Sequence, residues 1–338
     1  MGVSVALLAG CGDEDEPDDP VTSSATLAPA VERPIEVAGT PLAIAVGEGS
    51  VWVADNVGGT VSRIDAATGE LGGRPIEVGA GPVGLAVGEG AVWVASGDDT
   101  ITRIDPVDGT TELAAVGVGD PRGIVAGEGA VWVSSGTNGA VTRIDPVSLE
   151  AVGEPIPVAQ GATIAEGGMA LGDLAITEGA VWAISIDGAA LTRIDAATGE
   201  PGEPISVGSV QALALTAGED ALWVASTDDR LAGSIVVKRV DPATSEVEET
   251  GTEIPGAAIP VELAAGEGAV WITLPGGPRP LEGDELPPGV AYLDPASGAL
   301  GDSELEVGAS PSGIAVGEGA VWVTNSGDGT VSRIEPGG

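Results

Sequence analysis

The side chains that most often carry chemistry near neutral pH are almost missing from this sequence. It has no His and a single Cys, Cys11, in 338 residues. That removes the commonest general base and the commonest transition-metal ligand. It also removes intramolecular disulfides, thiolate zinc sites and paired-cysteine redox chemistry. What survives is carboxylate chemistry: 52 acidic against 12 basic residues, for a formal charge of −40. Hard cations such as Ca²⁺ or Mg²⁺ take oxygen ligands of this kind. The candidates are Asp55, Asp98, Asp187, Asp228, Asp229 and Asp328, with Asp284 and Glu285 in a longer loop. No stretch has the regular acid spacing of an EF-hand, and Asp commonly forms turns. The expectation is therefore no resident cofactor, with a Ca²⁺ or Mg²⁺ site as the alternative. A surface this acidic repels nucleic acid, which needs a basic patch to neutralise phosphate.

The elements that would hold these acids repeat. Trp occurs at 52, 93, 132, 182, 223, 271 and 322, each within a version of "VGEGAVWV". A second signature follows each time: "SRID" (62), "TRID" (102, 142, 192), "KRVD" (238), "AYLD" (291) and "SRIE" (332). Then come a turn such as "AATGE" (66) and a segment such as "PIEVG" (75). Each unit reads as four short alternating strands: "GLAVG", "AVWVA", "TVSRID" and "PIEVG". The "GEG" connection suits a tight hairpin, with Gly taking the positive φ. No window carries an amphipathic helical stripe. A period of about 40 to 50 residues is that of a propeller blade.

The chain ends indicate a closed ring. The last unit stops at "SRIEPGG" without a fourth strand, while "RPIEVAG" (33–39) precedes the first unit. Residues 34–37 are expected to complete blade seven and satisfy an otherwise open edge. The expected fold is all-β: a seven-bladed β-propeller, four antiparallel strands per blade, closed by an N-terminal outer strand. It spans 33–338, with blades at about 41–79, 82–119, 121–159, 171–208, 211–254, 260–308 and 311–336 plus 34–37.

One Trp per blade, in a chain without Phe, is expected to fill the wide gap between blades while Ala and Gly crowd the centre. The Arg at 63, 103, 143, 193, 239 and 333 should be structural, partnered by the acid two residues on or by the "GEG" acid. Tyr292 replaces it in blade six. Three stretches depart most from the repeat: 159–172, 226–234 and 274–289. All three belong to one face and to contiguous blades, which makes that face the expected site for a protein, glycan or small-molecule ligand. Leu42, Val83, Arg122, Val261 and Ser312 should line the channel mouth, with Arg122 as the cation there.

At the front, "LAGC" (8–11) follows a short apolar run and precedes six acids between Asp13 and Asp19. It resembles a bacterial lipoprotein signal, which implies lipidation of Cys11 and removal of residues 1–10. Residues 11–32 then read as an acidic, Pro-containing tether. The run is too short to span a bilayer. The resulting expectation is a monomer held outside the cytoplasm by a lipid anchor on the cell membrane.

The repeated "PxGIAVGEGAVWVxNxxDGTVSRIDPxTG" resembles the broad bacterial superfamily of YVTN-type and streptogramin-lyase-like (virginiamycin B lyase-like) propellers, over about residues 34–336. The resemblance implies the fold, and a group that includes an antibiotic-inactivating lyase beside many surface proteins. That lyase depends on a catalytic His with Mg²⁺ held by acids, and no His exists here to take the role. The leading expectation is thus a non-catalytic, surface-tethered binding or scaffold protein. The alternative is a Mg²⁺- or Ca²⁺-dependent hydrolase, lactonase or lyase with carboxylate ligands at the channel mouth; a redox or quinone-cofactor propeller lacks its ligands.

Overall fold

The "GEG" hairpins set the geometry of every blade. In blade one both central residues adopt left-handed backbone, Glu48 at φ 55° and Gly49 at φ 68°. Such a turn matches the right-handed twist of the strands it joins. A left-handed Glu costs about 1 kcal/mol, yet Glu89, Glu128, Glu267 and Glu318 share the conformation. In several blades that carboxylate ties one blade to the next. Gly129 N–H donates to Glu89 Oε1 at 2.9 Å, Gly268 to Glu219 at 3.0 Å, and Gly49 to Glu318 at 3.1 Å.

The computed structural model describes residues 28–114, 116–158, 171–186, 189–208, 211–227, 234–255, 261–278, 285–302 and 304–337. Among them are seven sheets of the expected kind, each running from an inner strand at the channel to an outer strand at the rim. Blade one shows the plan: Pro41–Gly47, Ser50–Asp55, Thr60–Asp65 and Ile76–Glu77, antiparallel in that order. An additional two-stranded hairpin, Gly277–Pro278 with Glu285–Leu286, stands in the blade-six loop.

The second strand of each blade lies between two neighbours in its own sheet and is covered on both faces, so Ser50–Asp55 is buried throughout. Its Trp packs against the adjoining blade; every Trp is at most 2% exposed. Burying a side chain this large contributes about 2–3 kcal/mol. The indole N–H is also satisfied, as from Trp271 to Gly266 O at 3.0 Å, and in blade four from Trp182 to Thr177 Oγ1 at 2.9 Å. Ladder register sets Trp opposite the third-strand Arg: Trp52 faces Arg63, Trp132 faces Arg143, and Trp322 faces Arg333.

That register decides the Arg partners, and they differ from those expected. The guanidinium stacks 5.0–5.5 Å from the ring centroids of Trp52, Trp132 and Trp322. Arg63 then donates from Nε to Ser50 Oγ at 2.8 Å and from Nη1 to Pro106 O of blade two at 2.9 Å. Arg103 pairs with Glu112 and Arg333 with Glu32. The acid two residues on ends the strand and caps its own turn instead, Asp65 Oδ1 accepting from Thr68 N–H at 2.8 Å.

The ring closes at blade seven through the N-terminus. Ile35 and Glu36 pair with Val331 and Thr330, as the terminal segments required. Closure also extends further upstream: Ala30 and Val31 pair with Glu335 and Ile334. The sheet therefore begins before position 33, inside the stretch expected to be tether.

Candidate active site in the channel

Six of the seven inner strands begin with an irregularity that shapes the channel wall. In blade one the ladder jumps between Pro41 and Ile44, and similar shifts occur in blades two to five and seven. A bulge leaves a backbone N–H without its ladder partner. Here second-strand hydroxyls accept it, Gly123 N–H donating to Ser134 Oγ and Gly313 N–H to Thr324 Oγ1, and in blade six, just before the regular ladder, Glu262 N–H likewise donates to Thr273 Oγ1, each at 2.8 Å. The hydroxyls in turn donate onward between blades, from Ser134 to Gly172 O at 2.6 Å and from Thr324 to Leu42 O at 2.8 Å. These bonds tie neighbouring blades together along the wall.

Nine residues before each Trp the channel is narrow. Five blades place Ala43, Gly84, Gly123, Ala214 and Gly313 there. A Cβ on Gly84 would lie 2.8 Å from Arg122 O, and one on Gly123 2.8 Å from Gly172 O, so side chains are excluded. Blades four and six break the rule with Asp173 and Glu262. Both side chains border a cavity of about 190 Å³ that all seven inner strands enclose. It continues into a mouth of about 610 Å³ collared by Leu42, Val83, Leu213 and Val261.

The two carboxyls lie where charge is costly. Each residue is half-buried, its side chain bordering a lumen that the seven blades surround. Burial pushes Asp173 up to about 6, against the opposing effect of Leu215 N–H, which donates to its Oδ2 at 3.2 Å. Burial, followed by repulsion from Asp173, raises Glu262 well above the ordinary carboxylate range. Two acids sharing a confined space cannot both ionise cheaply. Arg122 also borders the lumen, but its Nη2 holds Asp120 at 3.0 Å and its Nε the same oxygen at 3.2 Å. The expected channel cation is thus already partnered.

The acids singled out in the sequence occupy other roles wherever they are described. Asp55 accepts from Thr40 N–H at 2.9 Å and from Val57 N–H at 3.2 Å. Asp98 accepts from Ala80 N–H at 2.8 Å and from the Thr100 hydroxyl at 2.6 Å, and that hydroxyl holds its carboxyl below the usual range. Asp328 accepts from Ala309 N–H at 2.9 Å. Each pins the link entering its blade to the turn after the second strand. Asp187, Asp228, Asp229, Asp284 and Cys11 lie outside the described residues, as does most of the three long connections. Among the described residues no three His, Cys, Asp or Glu side chains gather as metal ligands. Nor is any helix among them long and apolar enough to cross a membrane.

Loop length along the sequence does not point to Asp173 and Glu262. Their signal was a substitution within the repeat: "LGDLAIT" and "PVELAAG" carry an acid where "PSGIAVG" carries Gly.

The fold has known counterparts. Virginiamycin B lyase from Staphylococcus aureus superposes with a TM-score of 0.70 at 18% identity, covering 91% of this chain and 99% of that one. Kuenenia stuttgartiensis hydrazine synthase gives 0.69 at 16% identity, covering 88% of this chain and 95% of that one. No protein-family model and no curated protein sequence matches the chain. The chain is thus a seven-bladed β-propeller resembling the virginiamycin B lyase fold. The expectation of a non-catalytic scaffold is corrected here. Both of these counterparts are enzymes, and the channel of this chain holds a strained carboxyl pair that a scaffold does not require.

Proposed function

We propose that the protein is a hydrolase or lyase acting on a small organic substrate in the channel, with Asp173 and Glu262 as its acid–base pair. The observation that carries this reading is the pair itself, two acids at positions where five blades admit only Ala or Gly. Burial raises Asp173 to about 6 and Glu262 well above the ordinary carboxylate range, and two acids in one lumen cannot both ionise cheaply, so the pair supplies one ionised and one protonated carboxyl. An ionised and a protonated carboxyl in one lumen can serve as general base and general acid.

In an elimination, Asp173 takes a proton from the carbon next to an activating carbonyl, the β carbon–oxygen bond breaks, and Glu262 protonates the departing oxygen. In ester or lactone hydrolysis, Asp173 takes the proton of an attacking water and Glu262 protonates the alkoxide that leaves. The collar of Leu42, Val83, Leu213 and Val261 suits an apolar substrate body, and a formal charge of −40 disfavours anions. That one fold counterpart is named a lyase supports this class of chemistry.

The alternative occupant of the pair is a divalent cation, which would need both carboxyls ionised. Mg²⁺ is commonly held by one or two carboxylates with water completing its shell; Asp173 and Glu262 would be those ligands, and the ion would polarise a substrate oxygen. The "LAGC" motif supports an extracytoplasmic location with an anchor at Cys11. The test of function is a panel of esters and lactones assayed with wild type, Asp173→Asn, Glu262→Gln and a distant control, Asp98→Asn. Turnover by wild type and control, with a loss of about a hundredfold or more in the channel variants, is expected. Equal turnover in all four proteins refutes the assignment.

A further inference from the structure

Blade three interrupts the repeat one residue ahead of the level that holds the channel acids. Ten residues before each Trp stand Leu42, Val83, Arg122, Gly172, Leu213, Val261 and Ser312, so one cation faces six uncharged residues. The fold does not need it there. Four blades tie the turn after the second strand to the link before the first by the same backbone bond: Asn56 N–H to Thr40 O at 3.1 Å, Gly97 N–H to Gly81 O at 2.8 Å, Gly136 N–H to Asp120 O at 2.8 Å and Ser326 N–H to Ser310 O at 3.0 Å. Three of the four make it with Leu42, Val83 or Ser312 in place of Arg122. The Arg122–Asp120 pair is itself 37% and 40% exposed, and a pair this wet adds little to stability.

Asp120 instead fixes where the guanidinium lies. Its Oδ2 accepts from Arg122 Nη2 at 3.0 Å and from Nε at 3.2 Å. The pair rests on Gly136, where a Cβ would lie 2.6 Å from that oxygen and 3.0 Å from Nε. One edge of the fork is thereby spent, and Nη1 has no partner among the described residues. Arg122, Asp173 and Glu262 each border both the lumen and its mouth, so the three share the neck between them. The cation pairs with Asp120 and holds neither channel acid down.

Building on the reading of the channel as a hydrolase or lyase site, we infer that Arg122 is its third catalytic residue, binding the substrate's carbonyl oxygen through Nη1. The substrate is then a carbonyl compound, an ester or lactone foremost, that enters carbonyl first and leaves its apolar body in the collar. In hydrolysis the water oxygen bonds to the carbonyl carbon and the π pair moves onto the oxygen that Arg122 holds. When that pair returns, the ester carbon–oxygen bond breaks and the alkoxide takes its proton from the protonated acid. In elimination the same oxygen carries the enolate charge. A fixed donor aimed at developing charge is worth most where its own position is already settled, and Asp120 settles it.

The experiment is calorimetry on the full chain at physiological salt and pH 5, where Asp173 is mostly protonated. The probes are the monomethyl ester of benzylphosphonic acid, a tetrahedral anion with an apolar body, and its neutral dimethyl ester. Wild type is expected to saturate one site with the anion. Arg122→Leu, the residue of blades one and five, should bind it about a hundredfold more weakly while binding the neutral ester as wild type does. Arg122→Lys keeps the charge without the fork and should bind the anion about tenfold more weakly than wild type; it serves alone if the Leu variant does not fold. No saturable anion binding by wild type, unaltered anion binding in the variants, or an equal loss of both probes overturns the proposal. Asp173→Asn and Glu262→Gln should bind the anion at least as tightly as wild type, so these titrations hold even if the two acids are not the acid–base pair. Conversely, a loss of turnover confined to the acid variants would keep that reading and remove Arg122 from it.

Discussion

Replacing Asp173 by Asn should make the protein more stable at neutral pH and flatten its response to pH. Burial raises the folded-state carboxyl from an ordinary value near 3.8 to about 6. The folded protein then holds a proton more tightly than the unfolded chain does, and stability is lost as pH rises through that interval. Below about pH 4 both states are protonated and the penalty is absent; above about pH 6 it is complete. Roughly two pH units at about 1.36 kcal/mol each amounts to about 3 kcal/mol. Asn keeps the shape and can still accept from Leu215 N–H, so the substitution removes the charge and little else. Urea unfolding of wild type and variant at fixed ionic strength, from pH 4 to pH 8, measures this directly. The variant's advantage should grow by about 3 kcal/mol across the series. The general repulsion of an acidic surface acts on both proteins and cancels in the difference. A difference constant with pH, or one that shrinks toward alkaline pH, would refute the claim that the channel strains this carboxyl. If the claim holds, the strain is a stability cost retained at a reactive position, as active sites often show.

Three further outcomes follow from the same geometry. A chain beginning at residue 28 should melt like the full-length protein, whereas one beginning at 38 loses the strand that pairs with Thr330–Glu335 and should lose about 3 kcal/mol or more in urea unfolding. Asp55→Ala should cost about 2 kcal/mol in the same assay, because Asp55 is only 6% exposed and leaves the Thr40 and Val57 amides without their acceptor; Asp98→Ala, with exposed bonds, should cost under about 1 kcal/mol. Mg²⁺ or Ca²⁺ at constant ionic strength should raise the melting temperature of wild type and leave that of the Asp173→Asn/Glu262→Gln double variant unchanged, and an equal shift in both would place the ion elsewhere.

Much of the architecture is legible along the chain because a propeller is a local structure repeated. Every blade writes its own hairpins, its "GEG" turn and its Trp into a stretch of about 40 residues, and even the ring closure shows as "RPIEV" displaced to the front. The surface acids were harder to read, since turn-capping and ligand-binding Asp residues look alike in sequence. Asp55, Asp98 and Asp328 prove to be caps because backbone amides stand within reach of each. The Arg partners depended on ladder register, which sets Arg63 over Trp52 and under the turn of the following blade.

Sequence alone therefore determined the seven blades, the Trp between them and the absence of histidine chemistry, because each is a property of one repeat or of composition. Only the closed ring decided that Asp173 and Glu262, 89 positions apart in the chain, share one confined lumen. Their raised pKa values come from an environment supplied by all seven blades. No single repeat contains that environment, since desolvation is a property of what surrounds a group and not of its neighbours in sequence.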